Sequence, residues 1–470
     1  MVQSMSYTNT NKQGVAMIET MKAMLGKVEA DYADLRYETK RVQRVVLSKK
    51  EVRSYGSNSG DGYVLRVLRQ GGFATVCFTK PEQAEEAIRK AVENADILSA
   101  HQLEKKQLAP APVIRESVKA PLREDPRHIP LEEKLALVKH YSELLFAQPD
   151  IANVELEYYD VHRDKFFINS EGSEINEELV TTKLGGSIIS QAGDLTQTVR
   201  MAFGGSDGFQ KVRDREDEAL QRAKIASDLL KAEPVKAGTY NMVLNPGIAG
   251  VFTHEAFGHF SEADIVRDLP AMRAKMQLGT KIGTDILNIT DNATLANQLG
   301  YYKYDDEGVA VREVKLMTAG VLTGRLHDRF TAAEMGEPIS GHAIAEDFRY
   351  APIVRMGNIF IEPGAASLEE LLAALGDGLY ICDAMGGQTS GENFTFGANH
   401  GYIVKGGKLA GMIRDINIVG NLYHTLNSVK LIGSDFVLNE SGGCGKGQTN
   451  IRSCLGGPSV LFENLTVGGK

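Results

Sequence analysis

The sequence predicts an α+β fold, with an N-terminal α/β region followed by a larger, mostly antiparallel β domain that carries one helix with metal-ligand spacing. Three observations predict it. The first half alternates strand-like and helix-like patterns, and the second half is dominated by strand candidates. Glycine is split unevenly between them, with 14 of 48 in residues 1–230 and 34 in residues 231–470. At about 150 residues per domain, two or three domains are expected. We divide the chain into an N-terminal α/β domain over 1–105, a linker and middle α+β region over 106–232, and a C-terminal β-rich domain over 233–470.

The elements follow in order. Ala33 to Thr39, Gln43 to Ser48, Tyr63 to Arg69 and Phe73 to Thr79 are rich in Val, Tyr, Phe and Leu between polar or glycine turns, so they read as strands, with Ser54 to Gly62 as a turn-rich stretch. Pro81 suits a first helical turn, and Ala84, Ala87, Ile88, Ala91, Val92 and Ala95 follow at the i, i+3, i+4, i+7 spacing of an amphipathic helix. Gln107 to Pro126 holds four prolines among polar residues and reads as an extended linker. A helix with Leu131, Leu135, Val138, Tyr141, Leu144 and Leu145 on one face comes next. Strand-like runs at Asn153 to Tyr159, Lys165 to Asn169, Leu179 to Leu184 and Gln197 to Phe203 follow it, and a charged helix over Arg213 to Ala232 closes the half.

In the second half the strand candidates are Ala237 to Leu244, Val311 to Met317, Val321 to His327, Asn358 to Ile361, Gly378 to Asp383, Asn399 to Val404 and Leu409 to Ile413. Turns such as Gly406-Gly407 account for most of the glycine surplus. Two helices interrupt the strands. Leu368 to Leu375 is opened by a capping box of Ser367 and Glu370, and the other helix carries the chemistry.

Composition excludes several classes of function. A 43% hydrophobic and 24% charged chain is ordinary globular usage rather than the signature of disorder. A net charge of −9 argues against nucleic acid, whose phosphates require clustered Lys and Arg. No apolar run approaches the roughly 20 residues of a membrane span, and Met1 to Gly14 is polar, without a signal-peptide core. The expectation is a cytoplasmic protein with reduced thiols and no membrane partner.

Pro246 to Asp264 reads PGIAGVFTHEAFGHFSEAD. His254 and Glu255 are adjacent, and His259 lies one residue beyond the H-E-x-x-H spacing that puts two zinc ligands on one helix face. Five steps of about 100° leave two imidazoles roughly 140° apart on a regular helix, too far round to share an ion. The helix must deform. A π-type bulge would bring i and i+5 together, and Gly258 gives the backbone freedom to form one or to end the helix before His259. Glu255 then sits where a general base belongs.

A catalytic zinc site needs three protein ligands and an open position. Cys77 and Cys382 lie in apolar strand patterns, where cysteine is a small core residue. Cys444 is flanked by Gly442, Gly443 and Gly445 on a loop free to carry sulfur to a metal; Cys454 is the alternative, and a bond between the two is disfavoured in a reducing compartment. The loop GGCGKGQ is no phosphate-binding loop, because Lys446 is followed by glycine rather than a hydroxyl residue.

HEAFGHFSEAD resembles the H-E-x-x-x-H signature of the TldD/PmbA family of metalloproteases. YDDEG (Tyr304 to Gly308), the stretch Gly386 to Leu409, IVGN (Ile418 to Asn421), CGKGQ and the terminal LTVGG resemble its C-terminal domain, and ADLRYE with the Tyr63 to Phe78 hairpin its N-terminal one. The resemblance covers nearly the whole chain. It implies a zinc-dependent peptidase acting on unstructured peptides, of the TldD type that keeps the metal motif, with residues 233–470 as the metalloprotease domain. It also implies His254, His259 and Cys444 as zinc ligands, Glu255 as catalytic glutamate, and a dimer formed with itself or with a PmbA/TldE-like subunit.

On that expectation zinc lowers the pKa of a bound water and polarises the scissile carbonyl, while Glu255 carries the proton to the leaving amine. Glu262 and Asp264 are either acceptors that orient the ligand histidines or a solvated acidic patch. His327, His342, Arg349 and Tyr350 are candidate oxyanion donors, and Asp305 and Asp306 read as turn residues before Gly308. Glycine-flanked strands near a metal suit an extended peptide that adds to a sheet edge. The rival readings are a peptide-binding subunit with a structural metal and a hydrolase of small amides or esters.

Overall fold

The computed structural model describes residues 2–102, 104–440 and 442–468. Its fold is α+β, as the sequence predicts. The first half is one twisted sheet of long strands: β1 (Tyr32–Ser48), β2 (Glu51–Arg69), β3 (Gly72–Phe78), β4 (Arg115–Val118), β5 (Ile151–Asn169), β6 (Glu174–Ala192) and β7 (Leu195–Gly205). The order is β3-β2-β1-β5-β6, with β4 and β7 paired to different segments of β6. Only the β4–β6 pairing is parallel.

Helices α1 (Val2–Leu25), α2 (Ala84–His101), α3 (Leu131–Phe146) and α4 (Glu216–Leu229) cover the sheet. The alanine stripe Ala84, Ala87, Ala91 and Ala95 of α2 is buried. It lets the helix lie so close to β3 that a Cβ at Gly72 would stand 1.9 Å from the Ala95 carbonyl oxygen.

Ser54 to Gly62 is not a turn. It is the exposed half of β2, paired residue by residue with Glu38 to Val46 of β1. Two of its glycines mark a close approach, since a Cβ at Gly60 or Gly62 would fall 3.3 or 2.4 Å from the ring of Phe348. The proline-rich segment is extended but pinned, through β4 and through Ala109, whose N–H donates to the Arg329 carbonyl at 2.8 Å. Cys77 points outward from β3 rather than into the core.

In the second half five strands close into a ring: Gly238–Leu244, Gly378–Ser390, Asn393–Lys405, Ile416–Asn421 and Val460–Gly468. The first two pair in parallel and the rest antiparallel. Lys408–Arg414 and Glu233–Pro234 extend the ring on one side. A second sheet pairs Asn358–Ile361 antiparallel with Ile289–Asp291 and parallel with Cys454–Gly457. The run Val321 to His327 forms a strand only over Val321–Leu322. The Leu368–Leu375 helix has the expected capping box, with Ser367 Oγ accepting from the Glu370 N–H at 3.2 Å and Glu370 accepting from the Ser367 N–H at 2.8 Å. More helical turns occur than the two expected, including Ala263–Asp268, Pro270–Lys275, Arg329–Met335 and Leu422–Leu426.

Helix α5 (Pro246–Phe252) lies between the ring and the second sheet. Phe252 meets Phe394, Phe396 and Phe462 of the ring edge to face, at 5.6, 6.4 and 5.4 Å between centroids. On the other side a Cβ at Gly250 would come within 2.8 Å of the Gly456 backbone. The halves are joined through apolar clusters, such as Phe167 and Ile175 with Tyr304, and through charges. Asp305 and Asp306 do form the turn before Gly308, but the turn is buried, and Asp306 pairs with Arg36 at 3.2 Å and Lys165 at 3.3 Å. Burial opposes the charge on Asp306, and those two cations outweigh it, holding the carboxyl below the usual range. No helix among the described residues is long and apolar enough to cross a membrane.

Candidate metal centre

Asn245 caps α5, its Oδ1 accepting from the Ile248 N–H at 3.1 Å. After Phe252 the helix widens into a π turn over Thr253–Phe257 and tightens into a 3₁₀ turn over Gly258–Ser261. This is the deformation that an i, i+5 histidine pair requires. It brings the His254 and His259 rings to 5.1 Å between centroids, at 83° to each other. Gly258 serves differently from the expectation. Its φ of −59° and ψ of −45° suit any residue, so conformational freedom is not what it contributes. Space is: a Cβ there would lie 2.3 Å from Met356 Sδ and 2.9 Å from Ile359 Cδ1.

Cys444 arrives from the far end of the chain. Its loop is held rather than free, because Cys444 and Ile451 exchange backbone hydrogen bonds of 3.0 Å each and the Gly443 N–H donates to the Ser453 carbonyl at 3.1 Å. Gly442, Gly443 and Gly447 take the left-handed φ values of 48°, 97° and 67° that this bridge needs. The result puts Cys444 Sγ 3.6 Å from His259 Nε2, and ligand atoms of His254, His259 and Cys444 lie within 4.8 Å of one another. Cys454 is elsewhere, buried in its strand with its thiol donating to the Asn439 carbonyl at 3.0 Å.

These donors fit zinc. With Zn–N near 2.05 Å and Zn–S near 2.3 Å, a tetrahedral ion spans an N···S edge of about 3.6 Å, the separation found. Nδ1 of the buried His254 has no hydrogen-bond partner among the described residues, so the bond His254 makes to Cys444 comes from its other nitrogen.

Charge is arranged to match. Glu262 is fully buried; it accepts from His259 Nδ1–H at 2.9 Å and pairs with Lys446 at 3.0 Å. Burial would push the Glu262 carboxyl up, but His259, Lys446 and Arg355 hold it down at about 2. Burial likewise opposes charge on Cys444, yet hydrogen bonds from His254 and His259 lower its pKa to about 5. Burial would lower His259, and its bonds to Cys444 and Glu262 instead raise it to about 10. Without metal, His259 and Cys444 form an imidazolium–thiolate pair. Asp264 touches neither histidine; it holds Lys446 at 2.9 Å.

Glu255 projects beside the trio with its side chain 26% exposed, Oε2 lying 3.8 Å from His259 Nε2. Thr389 donates to its backbone carbonyl at 2.8 Å, and a Cβ at Gly387 would come within 3.3 Å of its Cγ. Three of the candidate oxyanion donors are engaged elsewhere: His327 bonds Glu337 at 2.8 Å, His342 bonds Asp291 at 3.0 Å and Arg349 bonds Asp347 at 2.7 Å. At Tyr350 the backbone carbonyl accepts from Arg36 at 3.0 Å and the ring lies under the Arg349 guanidinium at 5.5 Å.

Sequence reasoning missed Lys446 and Arg355. The signal for Lys446 was its place two residues after Cys444. Arg355 carries no motif; it is buried, with Nε 4.0 Å from Glu262.

Comparison with known proteins gives matches in all three regions. The family descriptions PmbA/TldA metallopeptidase domain 1, central domain and C-terminal domain match residues 33–95, 124–230 and 237–469. A metalloprotease of Synechocystis is 32% identical over 455 residues, covering 96% of this chain and 98% of that one. A zinc metalloprotease TldD homologue of Saccharolobus solfataricus is 31% identical over 446 residues, covering 94% and 97%. The crystal structure of TldE from Thermococcus kodakarensis shares the fold with a TM-score of 0.76 at 18% identity, covering 97% of this chain and 99% of that one. On these matches the chain belongs to the PmbA/TldD family of metallopeptidases.

Proposed function

We propose that this protein is a zinc-dependent peptidase that hydrolyses extended, unstructured peptides in a reducing cytoplasm. In this reading His254, His259 and Cys444 hold the ion and Glu255 is the general base. The convergence of those three donors on one point, with a carboxylate alongside, carries it. Zinc in that cradle supplies a Lewis acid that acidifies water and polarises a peptide carbonyl. Glu255, partly open to solvent, takes the proton of the attacking water and hands it to the leaving amine. Glu262 accepts a hydrogen bond from the Nδ1–H of His259, which fixes the tautomer and leaves Nε2 as the ligand atom. The Cys444 thiolate donates negative charge, which tempers the ion's acidity and places more of the work on Glu255.

Substrate capture follows from strand geometry. The strand Gly378–Ser390 pairs on both sides only over Leu379 to Ile381, and from Ala384 onward it has one strand partner among the described residues. An extended peptide adds to that open edge through main-chain hydrogen bonds, so recognition is of backbone more than of sequence. We further propose that residues 1–105, 106–232 and 233–470 act as three units. The active assembly is a dimer, either of two copies or with a subunit like the archaeal TldE that shares this fold.

The test is elemental analysis and unfolded-peptide cleavage for wild type, His254→Ala, Cys444→Ser and Glu255→Gln. Zinc lost from the first two variants, and kept without cleavage in Glu255→Gln, is expected. Undiminished zinc in both ligand variants would overturn the site. Full function in Glu255→Gln would make the metal structural, and dipeptides or acyl amides cleaved faster than unfolded chains would make the protein a small-amide hydrolase.

A further inference from the structure

Behind the Cys444 loop lies a cavity of about 100 Å³, walled by the inner strands of the first sheet and by the chain on either side of the cysteine bridge. Arg452, Lys183, Ser453, Thr181 and Glu346 line it, with Gly443, the neighbour of Cys444. Its charges do not balance internally. Of the four cations on its wall, Arg163 is matched by Glu38 at 2.6 Å and Lys40 by Asp347 at 3.0 Å. Arg452 and Lys183 have no carboxylate partner within salt-bridge distance among the described residues; Arg452 donates to the Val180 carbonyl at 3.3 Å, and Lys183 donates to the Gly442 carbonyl at 3.4 Å and stands over the Tyr159 ring at 5.8 Å. Arg452 Nε is buried without any partner, as is the hydroxyl of Ser453. The one carboxylate on the wall, Glu346, is already held by the Thr449 and Asn450 N–H groups at 2.7 and 3.2 Å.

Cations drawn partly out of water without counter-ions are costly, and two of them, each half-buried, beside an unused hydroxyl make a receptor for an anion. The net charge of Arg452, Lys183 and Glu346 is +1, which suits a monoanion, and a guanidinium edge matches the two oxygens of a carboxylate. The cavity is also reachable. It shares Tyr159, Lys183, Gly442 and Gly443 with a broad open groove along β5, β6 and β7.

We propose that this cavity binds a carboxylate of a peptide lying in that groove, either its C-terminal carboxylate or an acidic side chain. Burial acts in the same direction, lowering Lys183 to about 8 and Arg452 to about 10, and a bound carboxylate would reverse both shifts. The proposal rests on the peptidase reading only for the identity of the carboxylate's carrier.

The experiment is fluorescence polarisation with the full-length Glu255→Gln protein and three versions of one short dye-labelled Gly/Ser/Ala peptide. One carries a free C-terminus, one a C-terminal amide, and one the amide with a single internal Asp. The free acid, the Asp peptide or both should bind about tenfold tighter than the plain amide, and the stronger of the two names the source. Arg452→Gln and Lys183→Gln should each reduce the ratio toward one. The second variant, at a partly exposed side chain, guards against misfolding of the first. Equal affinity for all three peptides, or a ratio unchanged in both variants, overturns the proposal. Inorganic phosphate competing better than acetate overturns the carboxylate assignment. Cleavage is measured separately on wild type, so a carboxylate preference without any cleavage would leave this site standing and the peptidase reading refuted.

Discussion

Stripped of metal, the protein should hold Cys444 as a thiolate at neutral pH. At pH 7 a thiol with a pKa of about 5 is about 99% ionised, whereas one at the ordinary 9.0 is about 1% ionised. The other three cysteines stay protonated, since burial raises Cys382 and Cys454, and partial desolvation on the outer face of β3 raises Cys77. Alkylation speed is a poor readout. Intrinsic nucleophilicity falls as pKa falls, with a slope of about 0.45, so four units cancel most of the hundredfold gain in thiolate. The pH midpoint is the readout. Thiolate absorbance, or alkylation of the Cys444 peptide followed by mass spectrometry, should titrate near 5 and move upward in His259→Ala.

Stability follows the same pair. An unfolded His259 at 6.5 and Cys444 at 9.0 carry two protons together below pH 6.5, one between, and none above 9.0, while the folded pair keeps one from about 5 to about 10. Stability of the metal-free protein should therefore rise by about 2 kcal/mol from pH 5 to 6.5, stay flat, and fall again above pH 9. A Cys444 midpoint of 8 or higher, or one unmoved by His259→Ala, would refute the imidazolium–thiolate pair.

Further outcomes are expected at the residues around it. Glu262→Gln keeps an acceptor for His259 but not the charge, and should weaken zinc binding by about 10- to 100-fold in a competition with a chelating dye; unchanged affinity would refute the orienting role. Lys446→Met removes the cation shared by Glu262 and Asp264, leaving Glu262 to His259 and Arg355 alone, and should cost about 3 kcal/mol in denaturant unfolding, with wild-type stability as the refuting result. Gly258→Ala gains about 1 kcal/mol of helix propensity but drives a methyl into Met356 and Ile359, for which overpacking costs about 1–3 kcal/mol. It should melt lower and bind less zinc, and a variant as stable and as zinc-replete as wild type would refute the packing account.

The alternation of strands and helices in the first half was legible because it rests on local periodicity, which survives in any tertiary context. The lengths were not. Ser54 to Gly62 carries every turn signal, yet β1 offers a partner along its whole length, and Gly60 and Gly62 are there to clear Phe348. In the second half the ring pairs Gly238–Leu244 with Gly378–Ser390 and Val460–Gly468, segments more than a hundred residues distant. No window of sequence contains that pairing.

The site divides along the same line. The i, i+5 spacing states a geometric problem whose solution, a widened turn, is local, and so it could be anticipated from the residues alone. What holds Cys444 in place is not local. Glu262, three residues beyond His259, accepts the imidazole N–H on one oxygen and shares that oxygen with Lys446, two residues beyond Cys444. Lys446 in turn reaches Asp264 and the Val354 carbonyl at 2.8 Å. One buried carboxylate thus ties the helix that brings the histidines to the loop that brings the sulfur. The donor separation is set before any ion binds, and on the proposed zinc site affinity should depend on this tie as well as on His254, His259 and Cys444. Glycine follows the same logic, because the positions that matter most are those where a side chain would block a close approach (Gly258) or forbid a loop's backbone (Gly442 and Gly443).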